Sequence, residues 1–314
     1  MKNTSSADHV FQLTAPRKSA GRKSVCFAAR LSGLYRSANS GRTWENAFAS
    51  LNLVEPLAAL SVACAPNYEH DPSVFAGLNG GILFSVDGGA TWSPSRVPTP
   101  PPAVSTLVCS PNFAEDGITF AATLEDGVLY SSDRGRRWVS WNFGLLDLNT
   151  FCLAVSPNFA SDETLFVGTQ SGIFRSTNGG RAWREVTLPI GFEAVLSLAI
   201  SPHFAHDATL FAGTENHGLL QSIDGGQTWN RLGKSRFKNP VNAIVLAPDY
   251  SKYPALLVLH GGSFLFSADN GKTWVPWRKD TLIRKDATAI LAPPGFDERV
   301  PTLVGLEDGT ITVV

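Results

Sequence analysis

Short apolar runs separated by polar turns recur along the whole chain, and the third repeat shows their order most clearly. An apolar run over 104–109 stops at Pro111, which has no N–H to contribute to a strand ladder. Two further runs, over 119–123 and 128–131, are joined by a Glu-Asp-Gly turn, and a fourth run opens at Trp138. No segment of useful length has an apolar face with the period of a helix. The pattern therefore predicts four short antiparallel strands in each repeat.

Two independent markers count the repeats. Six copies of an eight-residue box of the form Ser-x-Asp/Asn-x-Gly-x-x-Trp end in tryptophans separated by 48, 46, 45, 46 and 45 residues. Seven apolar runs end in Ala-Pro or Ser-Pro, and these prolines are separated by 50, 45, 46, 45, 46 and 45 residues. A regular repeat of this length, built from four short strands, is typical of a β-propeller. We therefore predict an all-β fold, a seven-bladed β-propeller with four-stranded antiparallel blades.

The repeats predict one domain. We assign residues 10–314 to a single propeller and residues 1–9 to a flexible N-terminal segment, because no linker or shift in composition marks a second domain. The seventh repeat supplies three apolar runs, and the sequence ends where its box would start. We therefore expect the last blade to lack its outermost strand, a loss that is tolerated because this strand lies at a sheet edge.

The box has the composition of a tight turn between the third and fourth strands. An Asp or Asn side chain accepts backbone N–H groups, the Gly allows a positive φ, and the Trp folds into the gap between neighbouring sheets. Asn replaces Asp in two boxes, which a turn tolerates because it needs an acceptor and not a charge. The residues assigned this structural role are Asn39, Trp44, Asp87, Trp92, Asp133, Trp138, Asn178, Trp183, Asp224, Trp229, Asp269 and Trp274.

All six boxes resemble those of the bacterial neuraminidase repeat, or Asp-box, β-propellers, and the repeats cover nearly all of residues 10–314. This superfamily includes sialidases, xyloglucan-cleaving hydrolases, sorting-receptor ectodomains and photosystem II assembly and stability factors. As one compact propeller without a catalytic set, the chain is most similar to the assembly-factor type. The resemblance implies a scaffold that engages a membrane-protein partner through an arginine-rich patch. Fold alone does not establish function, so the site residues have to be considered separately.

Charge and cysteine content narrow the classes of function. The formal net charge is −1, so overall charge predicts no affinity for nucleic acid or membrane surfaces. The N-terminus has no apolar core of signal-peptide length and no run is long enough to span a membrane, so we expect a cytoplasmic protein. The four cysteines lie in apolar runs without metal-type spacing, which predicts buried, reduced thiols. They are Cys26, Cys64, Cys109 and Cys152.

The sequence gives little support for a catalytic function. A sialidase-like site needs three arginines around the substrate carboxylate and a free tyrosine, whereas Tyr35 and Tyr130 fall in third strands. Another glycosidase needs two carboxylates at a defined separation, and the turns between second and third strands supply candidates. These are Glu125, Asp126, Glu215, Glu307 and Asp308. Because Glu-Asp-Gly is also a good turn sequence, we favour turn chemistry. We expect no cofactor and no metal, since His203, which shares a loop with His206, has asparagine counterparts in other repeats.

The blade-to-blade connections differ from one repeat to the next and are the predicted binding surface. The connection over 141–148 is unusually apolar, and Trp141 and Phe143 are its candidate partner-binding residues. The connections after blades five and six are basic. Clustered cations can steer and orient a charged partner. Their basic residues are Arg231, Lys234, Arg236, Lys238, Arg278, Lys279, Arg284 and Lys285.

The sequence thus predicts a monomeric, non-enzymatic binding or assembly scaffold that engages a macromolecular partner through these connections. We expect a protein partner, which the resemblance extends to a membrane-protein complex, and no nucleic acid. The alternative is a glycan-active protein, either a sialidase-like or other glycoside hydrolase or a lectin. A glycan array with a fluorogenic glycoside panel separates the two interpretations.

Overall fold

The computed structural model describes residues 8–16, 25–234, 236–277, 286–292, 296 and 302–314. Its strands form seven antiparallel sheets in which consecutive strands pair in chain order. Blade one contains β1 (Val10–Thr14), β2 (Cys26–Arg30), β3 (Gly33–Ser37) and β4 (Glu45–Asn46). Blade two contains β5 (Ala59–Cys64), β6 (Val74–Leu78), β7 (Gly81–Ser85) and β8 (Ser93–Pro94). Blade three contains β9 (Ala103–Cys109), β10 (Thr119–Leu124), β11 (Gly127–Ser131) and β12 (Val139–Ser140).

The remaining blades repeat this plan. Blade four contains β13 (Thr150–Val155), β14 (Leu165–Thr169), β15 (Ile173–Ser176) and β16 (Arg184–Val186). Blade five contains β17 (Val195–Ile200), β18 (Leu210–Thr214), β19 (Leu219–Ser222) and β20 (Asn230–Leu232). Blade six contains β21 (Val241–Leu246), β22 (Leu256–His260), β23 (Ser263–Ser267) and β24 (Val275–Pro276). Blade seven contains β25 (Ala287–Leu291), β26 (Leu303–Leu306) and β27 (Ile311–Val313).

This arrangement confirms the predicted seven-bladed propeller and the missing outermost strand of the last blade, which has three strands in the described residues. A single-turn 3-10 helix (Ala49–Leu51) follows β4. Three short helices lie between the first and second strands of blades three to five, namely α1 (Phe113–Asp116), α2 (Phe159–Asp162) and α3 (Phe204–Asp207). Each of these helices buries its first residue, Phe113, Phe159 or Phe204, against the sheets, which supply most of the core.

Glycines in the second strands allow neighbouring blades to approach closely. A Cβ atom on Gly77 or Gly213 would lie 2.6–2.7 Å from a valine methyl of the next blade's first strand. The ring closes in the same way, since a Cβ on Gly305 would lie 2.5 Å from Cγ1 of Val10. Thr288 adds a hydrogen bond from its Oγ1 to the Val10 carbonyl oxygen at 2.7 Å. Blade seven therefore packs against blade one as the other blades pack against each other.

Each box closes as a hydrogen-bonded turn. In blade two, one carboxylate oxygen of Asp87 accepts the backbone N–H groups of Ala90 and Thr91 at 3.0 and 2.9 Å. Partial burial raises the pKa of Asp87, but the hydrogen bonds from Thr91 and Ser85 outweigh this effect and bring the pKa to about 2. Gly89 has a φ of 86°, a value that glycine adopts without a steric penalty. The predicted turn chemistry is thus present in the structure.

The box tryptophans also join neighbouring blades. Trp92 Nε1 donates to the Ala47 carbonyl oxygen of blade one at 2.9 Å, and Trp183 Nε1 donates to the Trp141 carbonyl oxygen of blade three at 2.8 Å. Both indole rings are buried. A buried aromatic ring with a satisfied N–H is stabilising. The other four differ: Trp138 and Trp274 donate to a glycine carbonyl oxygen of their own box at 3.0 Å each, and the buried Nε1 atoms of Trp44 and Trp229 have no hydrogen-bond partner in the described structure.

Candidate functional site

Antiparallel strands place alternate loops on opposite ends of each blade, so the propeller has two different faces. We call the end with the boxes and the short helices the box face. The connection face is the other end, which carries the turns between second and third strands and the connections between blades. The two faces differ in how regular they are.

The box face repeats nearly the same contacts from blade to blade. In blade three, Asp116 accepts hydrogen bonds from the Ser110 hydroxyl at 2.6 Å and from the Ile118 N–H at 2.8 Å. Asp162 and Asp207 make the equivalent contacts in blades four and five. A structural role in each loop explains this uniform geometry.

The connection face is continuous across blades three to five because carboxylates link successive loops. Asp147, in the connection before blade four, accepts the N–H of Ser171 at 2.8 Å. The N–H of Glu193, in the next connection, donates to the Ser171 carbonyl oxygen at 3.3 Å. Burial raises the pKa of Asp147, but hydrogen bonds from Ser171 and Asn149 hold it below its ordinary value. The blade-four turn is therefore held from both sides.

Glu193 continues this network into blade five. Its side chain is almost fully buried, and it accepts the Asn216 N–H at 2.6 Å and approaches His217 Nδ1 at 2.7 Å. His217 remains about one-third exposed on the connection face. A buried carboxylate paired in this way orders the turn over 214–218, and the next connection packs on that turn. A Cβ on Gly218 would lie only 2.3 Å from the Cβ of Phe237.

Phe237 anchors the basic segment, which we define as residues 231–238. Its ring is buried and makes edge contacts with Trp274 and His260, with centroids 5.0 and 5.2 Å apart. His260 Nε2 accepts the backbone N–H groups of Lys238 and Asn239 at 3.1 and 3.0 Å. Because Nε2 accepts both bonds, it carries no proton in this arrangement. Burial, together with the Arg236 charge, lowers the pKa of His260.

The structure describes four of the eight predicted basic residues, of which three have exposed side chains and one is half-buried. Lys234, Arg236 and Lys238 are exposed, whereas Arg231 lies half-buried on β20. The other four predicted basic residues lie outside the described residues. They are Arg278, Lys279, Arg284 and Lys285.

Large apolar side chains on the connection face add to the predicted set. Phe143, which the sequence singled out, is 80% exposed. Leu146 and Phe192 are equally exposed, at 79% and 80%, and each directly precedes one of the linking carboxylates. Trp141 is half-buried, with its ring stacked on Tyr130 at 3.7 Å. We define the apolar ridge as Phe143, Leu146 and Phe192.

One of the candidate catalytic carboxylates lies in a tight turn. Glu125 occupies the turn between β10 and β11 with a φ of 76°, beside Gly127 at 72°. Among the described residues, no three His, Cys, Asp or Glu side chains are grouped as metal ligands. The four cysteines are free thiols, and burial raises the pKa of each. In the part of the chain described, no helix is long and apolar enough to cross a membrane.

The seven-bladed fold and the six boxes are similar to those of the Asp-box β-propellers of the bacterial neuraminidase repeat type. Residues 133–284 match the model of the family described as Photosynthesis system II assembly factor YCF48. The matched segment contains both the apolar ridge and the basic segment. No curated protein matches the chain in sequence.

Solved structures share the fold at low sequence identity. A structure described as YCF48 bound to D1 peptide is 15% identical with a TM-score of 0.71, and the match covers 98% of this chain and 94% of that chain. The GH74 xyloglucanase from Xanthomonas campestris is 16% identical with a TM-score of 0.72, over 98% of this chain and 52% of that chain. The extracellular domain of a B. thetaiotaomicron protein assigned to a one component system is 15% identical with a TM-score of 0.73, over 99% and 38%. This chain therefore spans about half or less of the latter two proteins.

Proposed function

We propose that this protein is a non-enzymatic binding and assembly scaffold that engages a protein partner through the connection face of blades three to six. The observation that carries the proposal is that the connections before and after blade four expose the apolar ridge and that the next connection carries the basic segment. Exposed large apolar side chains grouped on one face mark protein interaction sites more often than isolated ones do. Neighbouring cations add orientation and a faster encounter with a partner of opposite charge.

The comparisons support a binding role. The family whose model matches residues 133–284 is described as an assembly factor, and a structural neighbour is described as bound to a peptide. Neighbours also include glycoside hydrolases, but a fold shared at this identity does not transfer an activity. A membrane-protein partner, a monomeric state and a cytoplasmic location remain predictions from the sequence.

Charge reversal tests the electrostatic part of the proposal. We expect Arg236→Glu with Lys238→Glu to reduce recovery of the partner in affinity capture from the native organism, most strongly at low salt, because exposed charges are screened as salt rises. The matched control is Lys252→Glu with Lys272→Glu, which reverses two exposed cations on the box face. Equal recovery by the two double variants at low salt would contradict a role for the basic segment.

A further inference from the structure

A cleft at the outer rim between blades four and five is separate from the connection-face surface. Its volume is about 470 Å³, within the size range of ligand-binding pockets. It lies between β16 of blade four and the box of blade five, with Arg175 and Arg184 on one side and Gly226 and Gln227 on the other. Nothing in the proposed function uses this cleft.

Two arginines face each other across the strands that form one wall of the cleft. Arg175 on β15 is paired in register with Arg184 on β16, so both side chains lie on the same face of the sheet. Neither forms an ion pair among the described residues, and the buried Nε of Arg175 has no hydrogen-bond partner. Like charges directly opposite each other destabilise a strand pair, so this position favours a bound anion.

The equivalent position in the other described blades carries no pair of like charges. Blade one pairs Arg36 with Glu45, and blade five pairs Gln221 with Asn230. The other blades combine an aromatic residue with a small or apolar one, as in Phe84–Ser93, Tyr130–Val139 and Phe266–Val275. Among the described blades, the like-charged register pair is thus specific to blade four, and Glu185 is the one acidic residue that lines the same cleft.

Other blade junctions show which kind of ligand fits this space. Arg96 follows the outer strand of blade two and forms a parallel β-bridge with the box of blade three. Its backbone N–H donates to the Arg136 carbonyl oxygen, and its carbonyl oxygen accepts from the Trp138 N–H, each at 2.8 Å. At the next junction, the Phe143 carbonyl accepts from Trp183 N at 2.8 Å. Between blades four and five, no hydrogen bond within the described part joins the chain over 187–190 to the box. β16 is the outermost strand of its sheet, as is the fourth strand of each other four-stranded blade, so its outer edge has no strand partner.

We propose that this cleft binds an extended peptide segment that adds to the open edge of β16 and places an acidic side chain on the sheet face that carries Arg175 and Arg184. Strand addition supplies main-chain hydrogen bonds, and the carboxylate supplies specificity through charge-assisted bonds to guanidinium groups. A free small carboxylate shares the second feature but lacks the first.

The test measures the affinity of three probes by isothermal titration calorimetry. They are a capped hexapeptide of alternating threonine and valine with one glutamate at its third position, the same peptide with glutamine there, and N-acetylglutamate. We expect the glutamate peptide to bind at least about tenfold more tightly than either other probe, which corresponds to the loss of one charge-assisted interaction. Equal affinity for the glutamine peptide or for N-acetylglutamate would overturn the proposal.

Variants locate the binding to the cleft. Arg184→Glu recreates the Arg36–Glu45 pair of blade one, so we expect a stable fold and at least about tenfold weaker peptide binding. Arg184→Gln provides a second, uncharged variant, and Arg181→Gln is the control because this exposed arginine pairs with Glu163 outside the cleft. Unchanged affinity in both Arg184 variants contradicts the proposal. Partner capture through the connection face is measured on the same variants and is expected to be unchanged, so the two proposals fail independently.

Discussion

At the scale of single residues, the most informative side chain on the connection face is His260. Its Nε2 accepts two backbone N–H groups at the end of the basic segment, and its pKa is lowered by burial and by the Arg236 charge. Protonation at Nε2 would remove both hydrogen bonds and place a second positive charge beside Arg236. The shape of the basic segment therefore depends on a neutral histidine.

This linkage predicts a pH dependence of stability. Since the pKa of His260 in the folded state is lower than its ordinary value of 6.5, its contribution to the free energy of unfolding is fully present above pH 6.5 and is lost as pH falls through the lowered pKa. We expect His260→Ala to lower the free energy of unfolding at pH 8 by about 1–2 kcal/mol, because two N–H groups lose their acceptor. Denaturant unfolding at several pH values measures both effects.

The control is His206→Ala, which removes an exposed histidine from the box face. It should leave stability within about 0.5 kcal/mol of the unmodified protein at each pH. If His260→Ala and the unmodified protein lose stability in parallel between pH 7 and pH 5, His260 does not carry this pH dependence.

At the scale of secondary-structure elements, the boxes of blades two and four join their blade to its neighbour as well as closing a turn. Trp183 donates to a carbonyl of blade three, whereas the Nε1 of Trp229 has no acceptor, and both rings are buried. Trp183→Phe and Trp229→Phe remove the same part of the ring. Trp183→Phe should therefore destabilise the protein by about 1 kcal/mol more than Trp229→Phe, the net value of one hydrogen bond.

Thermal unfolding of the two variants measures this difference directly. An equal loss of stability would mean that the indole N–H of Trp183 contributes nothing beyond ring packing. The opposite order, with Trp229→Phe the less stable, would contradict the assignment of an unsatisfied Nε1 to Trp229.

The turn that each box forms could be predicted from the sequence because the spacing of the boxes repeats and because each residue type in the box has a local role. The exposed ridge was only partly predictable. Leu145 and Leu146 are adjacent and identical, yet the first is 6% exposed and the second 79%. Which of them is buried depends on the neighbouring blade, which local sequence does not encode. The pairing of Arg175 with Arg184 was predictable from the sequence. In each box, the residue before the serine and the residue after the tryptophan lie opposite each other on paired strands.

At the scale of the whole molecule, the seventh blade closes the ring although it has three described strands. Gly305 approaches Val10 about as closely as Gly77 approaches Val104, and in both cases the near atoms belong to side chains. We therefore expect Gly305→Ala and Gly77→Ala to lower the free energy of unfolding by similar amounts, about 1–3 kcal/mol, because each forces a Cβ into a packed junction. Chemical denaturation compares them, and a much smaller loss for Gly305→Ala would show that blade seven is not packed like the others.

The central claim is that the connection face binds a protein partner, and the apolar ridge offers its most direct test. Phe143→Ser with Phe192→Ser removes two 80%-exposed rings, whereas Val86→Ser with Ile223→Ser removes exposed apolar side chains (59% and 63%) from the box face. Both double variants should unfold within about 0.5 kcal/mol of the unmodified protein, as surface substitutions usually do.

The decisive measurement is the affinity of each double variant for the protein captured by the unmodified chain. We predict that Phe143→Ser with Phe192→Ser weakens binding at least about tenfold, since aromatic anchors dominate interface energies. Val86→Ser with Ile223→Ser should bind within about twofold of the unmodified protein, in the range of near-neutral contacts. Unchanged binding by the ridge variant, or a larger loss in the box-face variant, would contradict the account.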